Sequence, residues 1–213
     1  MPYPRPKPPA GGIKATYPGF IAPALATPIG KVPSGERWVH EIKFDGYRVQ
    51  VHLRDAAVKV FTRRGNDWTN RFRKIAADAW HINAGSAIID GEVVVPAKDG
   101  TTDFSVLQNE LKGRSKKIVM VAFDLLYLNG YDLRKVPLFE RKALLNKIIA
   151  ETDIQFSEGF EVDGAEMCRA SSRPIRIKTT SAAHRGLLSQ SCVAVPEGVP
   201  STARILRASS ILR

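Results

Sequence analysis

From Trp38 to Leu53 apolar and polar positions alternate about the dipeptide Asp45-Gly46, which is the pattern of a β-hairpin closed by a tight turn. Asp and Gly tolerate the positive φ values that such a turn requires. A two-residue loop sets Phe44 opposite Tyr47, Lys43 opposite Arg48, Ile42 opposite Val49 and Glu41 opposite Gln50. One face then carries Trp38, His40, Ile42, Phe44, Tyr47, Val49, Val51 and Leu53, and the other Glu41, Lys43, Arg48, Gln50 and His52. A charged outer face is ordinary for an antiparallel sheet. Lys43 opposite Arg48 is less so, because like charges destabilise an inert surface yet favour the neutral amine that a nucleophile needs.

The pattern continues with a short strand over Val58–Thr62 and a helix from about Asn70 to Trp80, capped by Thr69, with Phe72, Ile75, Ala76 and Ala79 inward. Ala87–Val95 is apolar at both parities, the mark of a strand buried on both faces, but Asp90 and Glu92 interrupt one of them. Carboxylates so placed are costly unless they meet cations, a metal or hydroxyls. Either arginine partners or a functional site answers that cost. Lys98-Asp99-Gly100 reads as a turn and Phe104–Leu111 as a short helix. Ile118–Leu128 reads as a long strand ended by Asn129-Gly130. Pro137 suits the first turn of a helix reaching Ala150, with Leu138, Leu145, Ile148 and Ile149 inward. Ile154–Phe156 follows as a strand, and Val162–Arg169 as the start of a helix. The sequence holds no internal repeat, glycine-rich phosphate loop or zinc spacing.

Composition bounds this picture. The chain has 213 residues, 44% of them hydrophobic, enough to bury a core, and no apolar run long enough to span a membrane. Cys168 and Cys192 fit no metal-ligand spacing and read as free thiols of a cytoplasmic protein. The net charge of +11 points to an anionic partner. Its distribution alters that reading: residues 168–213 contribute +7 and the rest only +4. The segment 168–213 also lacks Phe, Tyr and Trp, and is expected to be an atypical basic tail without regular structure. Residues 1–17, rich in proline, read as a linker or a disordered end, and Pro18–Gly35 as an irregular segment packed along a domain surface.

Four stretches in order, Glu41-Ile42-Lys43-Phe44-Asp45-Gly46-Tyr47-Arg48, Thr62-Arg63-Arg64-Gly65, Asp90-Gly91-Glu92 and Val121-Ala122-Phe123-Asp124-Leu125-Leu126, resemble the motifs of the ATP-dependent DNA ligases within the covalent nucleotidyltransferases. The likeness is nearest to the bacterial ligase domain associated with non-homologous end joining and covers about residues 18–167. It implies an α+β nucleotidyltransferase (ATP-grasp-like) fold of antiparallel sheets with flanking helices and the nucleotide between sheets. It implies ATP and Mg²⁺ as cofactors, nicked or broken double-stranded DNA as substrate, a Ku-like end-binding protein as a partner, and a monomer. Lys43 is then the nucleophile that takes AMP. Glu41 and Ile42 lie against the base, Arg48 and Glu92 serve the ribose side with Glu92 near a divalent ion, Arg63 aids the phosphates, and Phe123 stacks on the adenine.

The resemblance also has departures. Beyond Glu166 the family continues with a Glu-Gly-apolar-x-x-Lys strand, a Trp-x-Lys-x-Lys motif and an OB-fold domain. Ile175-Arg176-Ile177-Lys178 is a poor stand-in for these. The adenylation domain is accordingly expected to be incomplete at its C-terminal end, with impaired activity and low stability. The change of texture at 168 is what a reading-frame shift in a GC-rich gene yields. The alternatives are a non-catalytic remnant that binds nucleotide or DNA weakly, and another lysine nucleotidyltransferase such as an RNA ligase or a capping guanylyltransferase.

Overall fold

The structure, a computed structural model, describes residues 8–29, 38–96, 102–113, 116–160, 192–196 and 205–208. Strands at Ile13–Lys14 (β1), Ala26–Ile29 (β2), Trp38–Ile42 (β3), Tyr47–Arg54 (β4) and Ala57–Thr62 (β5) precede the helix Arg73–Ala79 (α1) and the strand Ser86–Val94 (β6). The helix Phe104–Glu110 (α2), the strands Val119–Leu128 (β7) and Tyr131–Asp132 (β8), and the helix Leu138–Ile149 (α3) follow. Gln155–Phe156 (β9), Gly159–Phe160 (β10), Cys192–Pro196 (β11) and Ile205–Ala208 (β12) complete the described strands.

These strands make two sheets. The seven-stranded one runs β1-β8-β7-β6-β4-β5, with β9 pairing parallel to β7, and the five-stranded one runs β10-β3-β11-β12-β2. The expected hairpin is therefore corrected: both its strands form, but β3 lies in one sheet and β4 in the other. The reason lies at Gly46, where a Cβ would sit 2.1 Å from the carbonyl oxygen of Val93. Gly46 N–H donates to Glu92 Oε1 at 3.0 Å and Asp45 N–H to Thr102 Oγ1 at 3.1 Å. The Asp-Gly pair thus docks its backbone against β6 and does not fold the chain back on β3. Lys43 and Arg48 do not face each other, so the like-charge pairing expected for them does not exist.

Alternation along β4 holds. Val49, Val51 and Leu53 are buried on one face with Ala87 and Ile89 of β6, against Phe72 before α1, Ile75 and Ala79 of α1, Leu107 of α2, and Leu145 and Ile148 of α3. Each such fully buried aliphatic or aromatic side chain is worth roughly 1.5–3 kcal/mol relative to exposure. Thr69 does not cap α1: its hydroxyl accepts from Val60 N–H and donates to Asp67, and the helix starts only at Arg73.

The opposite face of the larger sheet, with Arg48, Gln50 and His52 on β4 and Ile88, Asp90 and Glu92 on β6, is crossed by the N-terminal segment. β1 pairs with β8, Tyr127 Oη donates to Ala15 O at 3.1 Å, and Gln50 exchanges two 3.0 Å hydrogen bonds with the backbone of Ile21. Ile21 is buried in a small cluster with Ile88, Leu126 and Tyr127. A linker was expected over 1–17, yet residues 8–17 are integral. Proline-rich composition hides the single β1 pairing and the packing of Tyr17. The segment expected to be irregular over 18–35 is so only over 18–25: Ala26–Ile29 forms β2, paired parallel with β12, and residues 30–35 lie outside the described residues.

In the segment expected to be an irregular tail, the described residues are strands: β11 pairs antiparallel with β3 and with β12. The apolar-basic run 175–178, the expected helix start at 162–169 and the expected turn at 98–100 lie outside the described residues. Among the described residues no helix is long and apolar enough to cross a membrane.

Candidate active site

Lys43 is the first residue after β3 and sits where the chain passes from the smaller sheet to the larger. Its Nζ donates to Phe44 O at 3.2 Å and lies 4.0 Å from Asp45 Oδ1, a loose contact at an exposed carboxylate. Phe44 is buried, which anchors this short crossing while leaving the amine partly accessible.

Arg48 and Glu92 are register partners across β4 and β6. The Arg48 guanidinium nevertheless goes to Asp90, with Nε–Oδ1 at 3.1 Å and Nη2–Oδ2 at 2.8 Å, and its Nη1 donates to Ala24 O at 2.5 Å. Burial pushes the Asp90 carboxyl up, and the Arg48 charge and hydrogen bonds oppose it. Glu92 is raised to about 7, first by burial; the Lys43 charge, the Gly46 N–H and Arg48 hold it down. Of the two carboxylates on this strand, one is thus spent on an arginine and the other has, among the described residues, a single backbone donor.

Phe123 enters through an irregularity. Pairing between β6 and β7 shifts between Asp90 and Gly91, so that Asp90 faces Asp124 and Gly91 faces Ala122, leaving Phe123 as the extra residue of a bulge. Its ring lies under the Arg48 guanidinium, 5.3 Å from Cζ to the centroid. Gly91 is needed at the crossing: a Cβ there would meet Met120 Cε at 2.5 Å and Val121 O at 2.7 Å.

The structure therefore brings Arg48, Glu92 and Phe123 together, with Lys43 close enough for its charge to act on Glu92. Arg63, just past β5, donates its backbone N–H to Arg48 O at 3.1 Å, while its side chain is exposed. Ile42 ends β3 and pairs with Cys192 of β11. Glu41 is buried and turned to α3, where Lys142 Nζ meets Oε1 at 2.8 Å.

Two buried cations, Arg141 and Lys142, are absent from the sequence-based site. Arg141 binds Asp124 at two points, 2.7 and 2.9 Å, and Lys142 donates to Glu41 and to Ser157 O at 2.7 Å. They occupy the inward stripe of α3 between Leu138 and Leu145, and that position was the available signal. For Mg²⁺ the residues offer the Glu92 carboxylate, and among the described residues no cluster of three or more His, Cys, Asp or Glu is placed to hold a metal ion. A magnesium ion carried on substrate phosphates needs only one or two protein carboxylates, so Glu92 fits.

Two mostly antiparallel sheets, bridged by a lysine-bearing crossing with an arginine, a carboxylate and an aromatic ring on the adjoining strands, are the arrangement that the resemblance to the nucleotide-dependent ligases implies. Residues 23–175 match the ATP dependent DNA ligase domain, and the chain belongs to that family. It is 37% identical over 190 residues to the multifunctional non-homologous end joining protein LigD of Pseudomonas aeruginosa, an alignment covering 88% of this chain and 20% of that protein. That share is larger than residues 1–167 alone can supply. Among solved structures, the ligase domain of Mycobacterium tuberculosis LigD superposes with a TM-score of 0.64 at 25% identity, covering 87% of this chain and 58% of that one. The mycobacterial DNA ligase D complexed with ATP and MES gives 0.64 at 24%, over 87% and 60%, a likeness of fold. The chain spans about a fifth of the length of the LigD proteins it matches.

Proposed function

We propose that this chain carries the adenylation step of an ATP-dependent DNA ligase of the end-joining kind, with Lys43 as the nucleophile. The observation that supports it most is the position of Lys43 on the crossing between the sheets, beside Glu92 and near the Arg48–Phe123 stack. In the reaction the neutral Nζ of Lys43 attacks the α-phosphorus of ATP. A P–N bond forms, the bond from the α-phosphorus to the β-phosphate oxygen breaks, pyrophosphate leaves, and the amine proton passes to solvent. An oxygen of a 5′-phosphate at a nick then attacks the phosphorus of that AMP, the P–N bond breaks and the Lys43 amine is freed; the adjacent 3′-hydroxyl attacks the 5′-phosphorus, a phosphodiester forms, AMP leaves and the hydroxyl proton passes to solvent.

Phe123 offers a face for the adenine, and Arg48, fixed by Asp90 and Ala24, cannot swing away from the ribose side. Glu92 would hold Mg²⁺, which when bound supplies charge neutralisation at the phosphate oxygens. Arg63, exposed and close in sequence to this rim, is cast as a phosphate contact. Nicked or broken double-stranded DNA is the substrate in this reading, and a Ku-like protein the partner that delivers ends.

The test is to incubate the purified chain with Mg²⁺ and α-labelled ATP or GTP. The reading expects label from ATP that stays on the chain through denaturing electrophoresis, is released by acid as a phosphoramidate should be, and is lost in Lys43→Ala. Label from GTP alone would make the chain a capping-type enzyme, and no label in a folded protein would leave a non-catalytic remnant. Nick sealing is assayed separately, because it also requires grip on DNA.

A further inference from the structure

The N-terminal segment is fastened to the outer face of the larger sheet in two stages. Its first half is held by β1 on β8, by Ala15 N–H on Gly130 O at 2.9 Å and by Tyr127 Oη on Ala15 O at 3.1 Å. Its second half, Phe20 to Ala24, is held by Gln50. This side chain, 2% exposed, spends both ends of its amide on one residue: Oε1 accepts from Ile21 N–H and Nε2 donates to Ile21 O, each at 3.0 Å. A side chain thus does for the Ile21 backbone what a neighbouring strand would do.

The amide has one allowed orientation. His52 Nε2 lies 2.9 Å from the same Oε1, and because an amide oxygen only accepts, His52 carries its proton on Nε2. Burial, and then the Lys59 charge, lower the His52 pKa to about 4, so the ring is neutral near pH 7. Turning the amide over would set its NH₂ against two donors and its oxygen against the Ile21 carbonyl.

This clamp stands between two contacts with the candidate active site. One residue before Ile21, Phe20 lies against Gly65, where an added Cβ would come within 3.1 Å of Phe20 Cδ1. Gly65 N–H closes on Thr62 O at 2.8 Å the turn that carries Arg63. Three residues after Ile21, Ala24 O accepts from Arg48 Nη1 at 2.5 Å. Asp90 takes Nε and Nη2, so the guanidinium is held at three nitrogens, one of them by the N-terminal segment.

We propose that Gln50 is a positioning residue for nucleotide binding: by clamping Ile21 it seats residues 20–24, and through Ala24 O that segment holds the Arg48 guanidinium over the Phe123 ring. Gln50 is covered by the segment it clamps, so it acts through Arg48 and not on the nucleotide. The proposal rests on the reading of Arg48 as a contact on the ribose side of ATP.

The test measures equilibrium binding of ATP and of 2′,3′-dideoxy-ATP to the full chain carrying Lys43→Ala, which stops the covalent step. This parent is expected to prefer ATP by about tenfold, as for a hydrogen bond from a charged group. Arg48→Lys, which gives up the planar fork, should abolish the preference. Gln50→Met keeps the volume but releases Ile21, and should reduce the preference to about threefold or less. A merely structural role would weaken both nucleotides alike and leave the ratio. A parental ratio in Gln50→Met, where Arg48→Lys has lost it, therefore overturns the proposal. If Gln50→Met fails to fold by circular dichroism, Ala24→Gly takes its place, since it strands no polar group and only frees the backbone that carries the Arg48 acceptor. A lowered ratio there supports the assignment, and a parental ratio overturns it. A parent without preference, or an Arg48→Lys chain that keeps it, marks the failure of the reading of Arg48 and takes this proposal with it.

Discussion

Arg48 and Asp90 are joined at two points across a diagonal of the larger sheet, although the register partner of Arg48 is Glu92. Both side chains are largely buried, at 19% and 5% exposure, so removing one partner strands a charge. Breaking such a pair costs about 3–5 kcal/mol. Asp90→Asn is therefore expected to lower unfolding free energy by that order in a urea titration. Glu92→Gln, whose loss strands no ion pair, should cost far less. Equal effects of the two substitutions would mean that the diagonal pair does not anchor the site.

Glu92 makes stability depend on pH in an unusual direction for a carboxylate. Its pKa is raised from 4.5 to about 7, first by burial, so the folded chain holds its proton more tightly than the unfolded one. Between those values the native state binds more protons, and this group's contribution therefore falls as pH rises from about 4.5 to about 7. The loss amounts to about 3 kcal/mol at most. His52 works the other way, its pKa lowered to about 4 by burial and then by Lys59, so its contribution falls as pH drops from 6.5. Comparing wild type with Glu92→Gln from pH 5 to 8 cancels His52. The difference in melting free energy should shift in favour of Glu92→Gln on the alkaline side, and parallel curves would refute the assignment.

Most of the larger sheet could be read from period and turn chemistry. Val49, Val51 and Leu53 alternate, Asn129 and Gly130 have positive φ where the turn was expected, and the inward residues of α3 are those of the helical stripe. The hairpin failed for a reason that local sequence does not carry. Asp-Gly can close a tight turn, but it can equally let a backbone approach a third strand, and the close contact of Gly46 with Val93 is made 47 residues away in sequence. The pairing of β3 with β11 is longer in range still. Lys142 and Arg141 were within reach: cations on an apolar stripe need buried partners, and only their identity required the structure. The bulge at Phe123 left no mark in the sequence, because an extra residue in an apolar strand looks like any other.

Gly46 provides a separate check on that crossing. A methyl group there would overlap the Val93 carbonyl oxygen at 2.1 Å and Val94 Cγ1 at 2.8 Å, and backbone cannot yield cheaply. Gly46→Ala should cost roughly 1–3 kcal/mol, the range of overpacking, and should also withdraw the N–H that Glu92 accepts. Its effect on labelling of Lys43 is expected to exceed its effect on stability, since the crossing that carries the amine must move. Gly19, with nothing within 4 Å of its added Cβ, serves as the control, and Gly19→Ala should stay within about 0.5 kcal/mol of wild type.

Arg63 separates fold from function. Its side chain is exposed and makes no ion pair among the described residues, while its backbone N–H alone ties the loop to Arg48 O. Arg63→Ala keeps that backbone bond, so stability should remain within about 0.5 kcal/mol of wild type. If the guanidinium meets a phosphate of nicked DNA, binding should weaken uniformly across sequences, and the slope of log affinity against log salt should fall by about one. If it instead serves only the triphosphate, labelling of Lys43 will drop while the salt slope on DNA stays as it was. Measuring both on the same preparation assigns the side chain to one phosphate or the other, and a variant indistinguishable from wild type in both would remove Arg63 from the site.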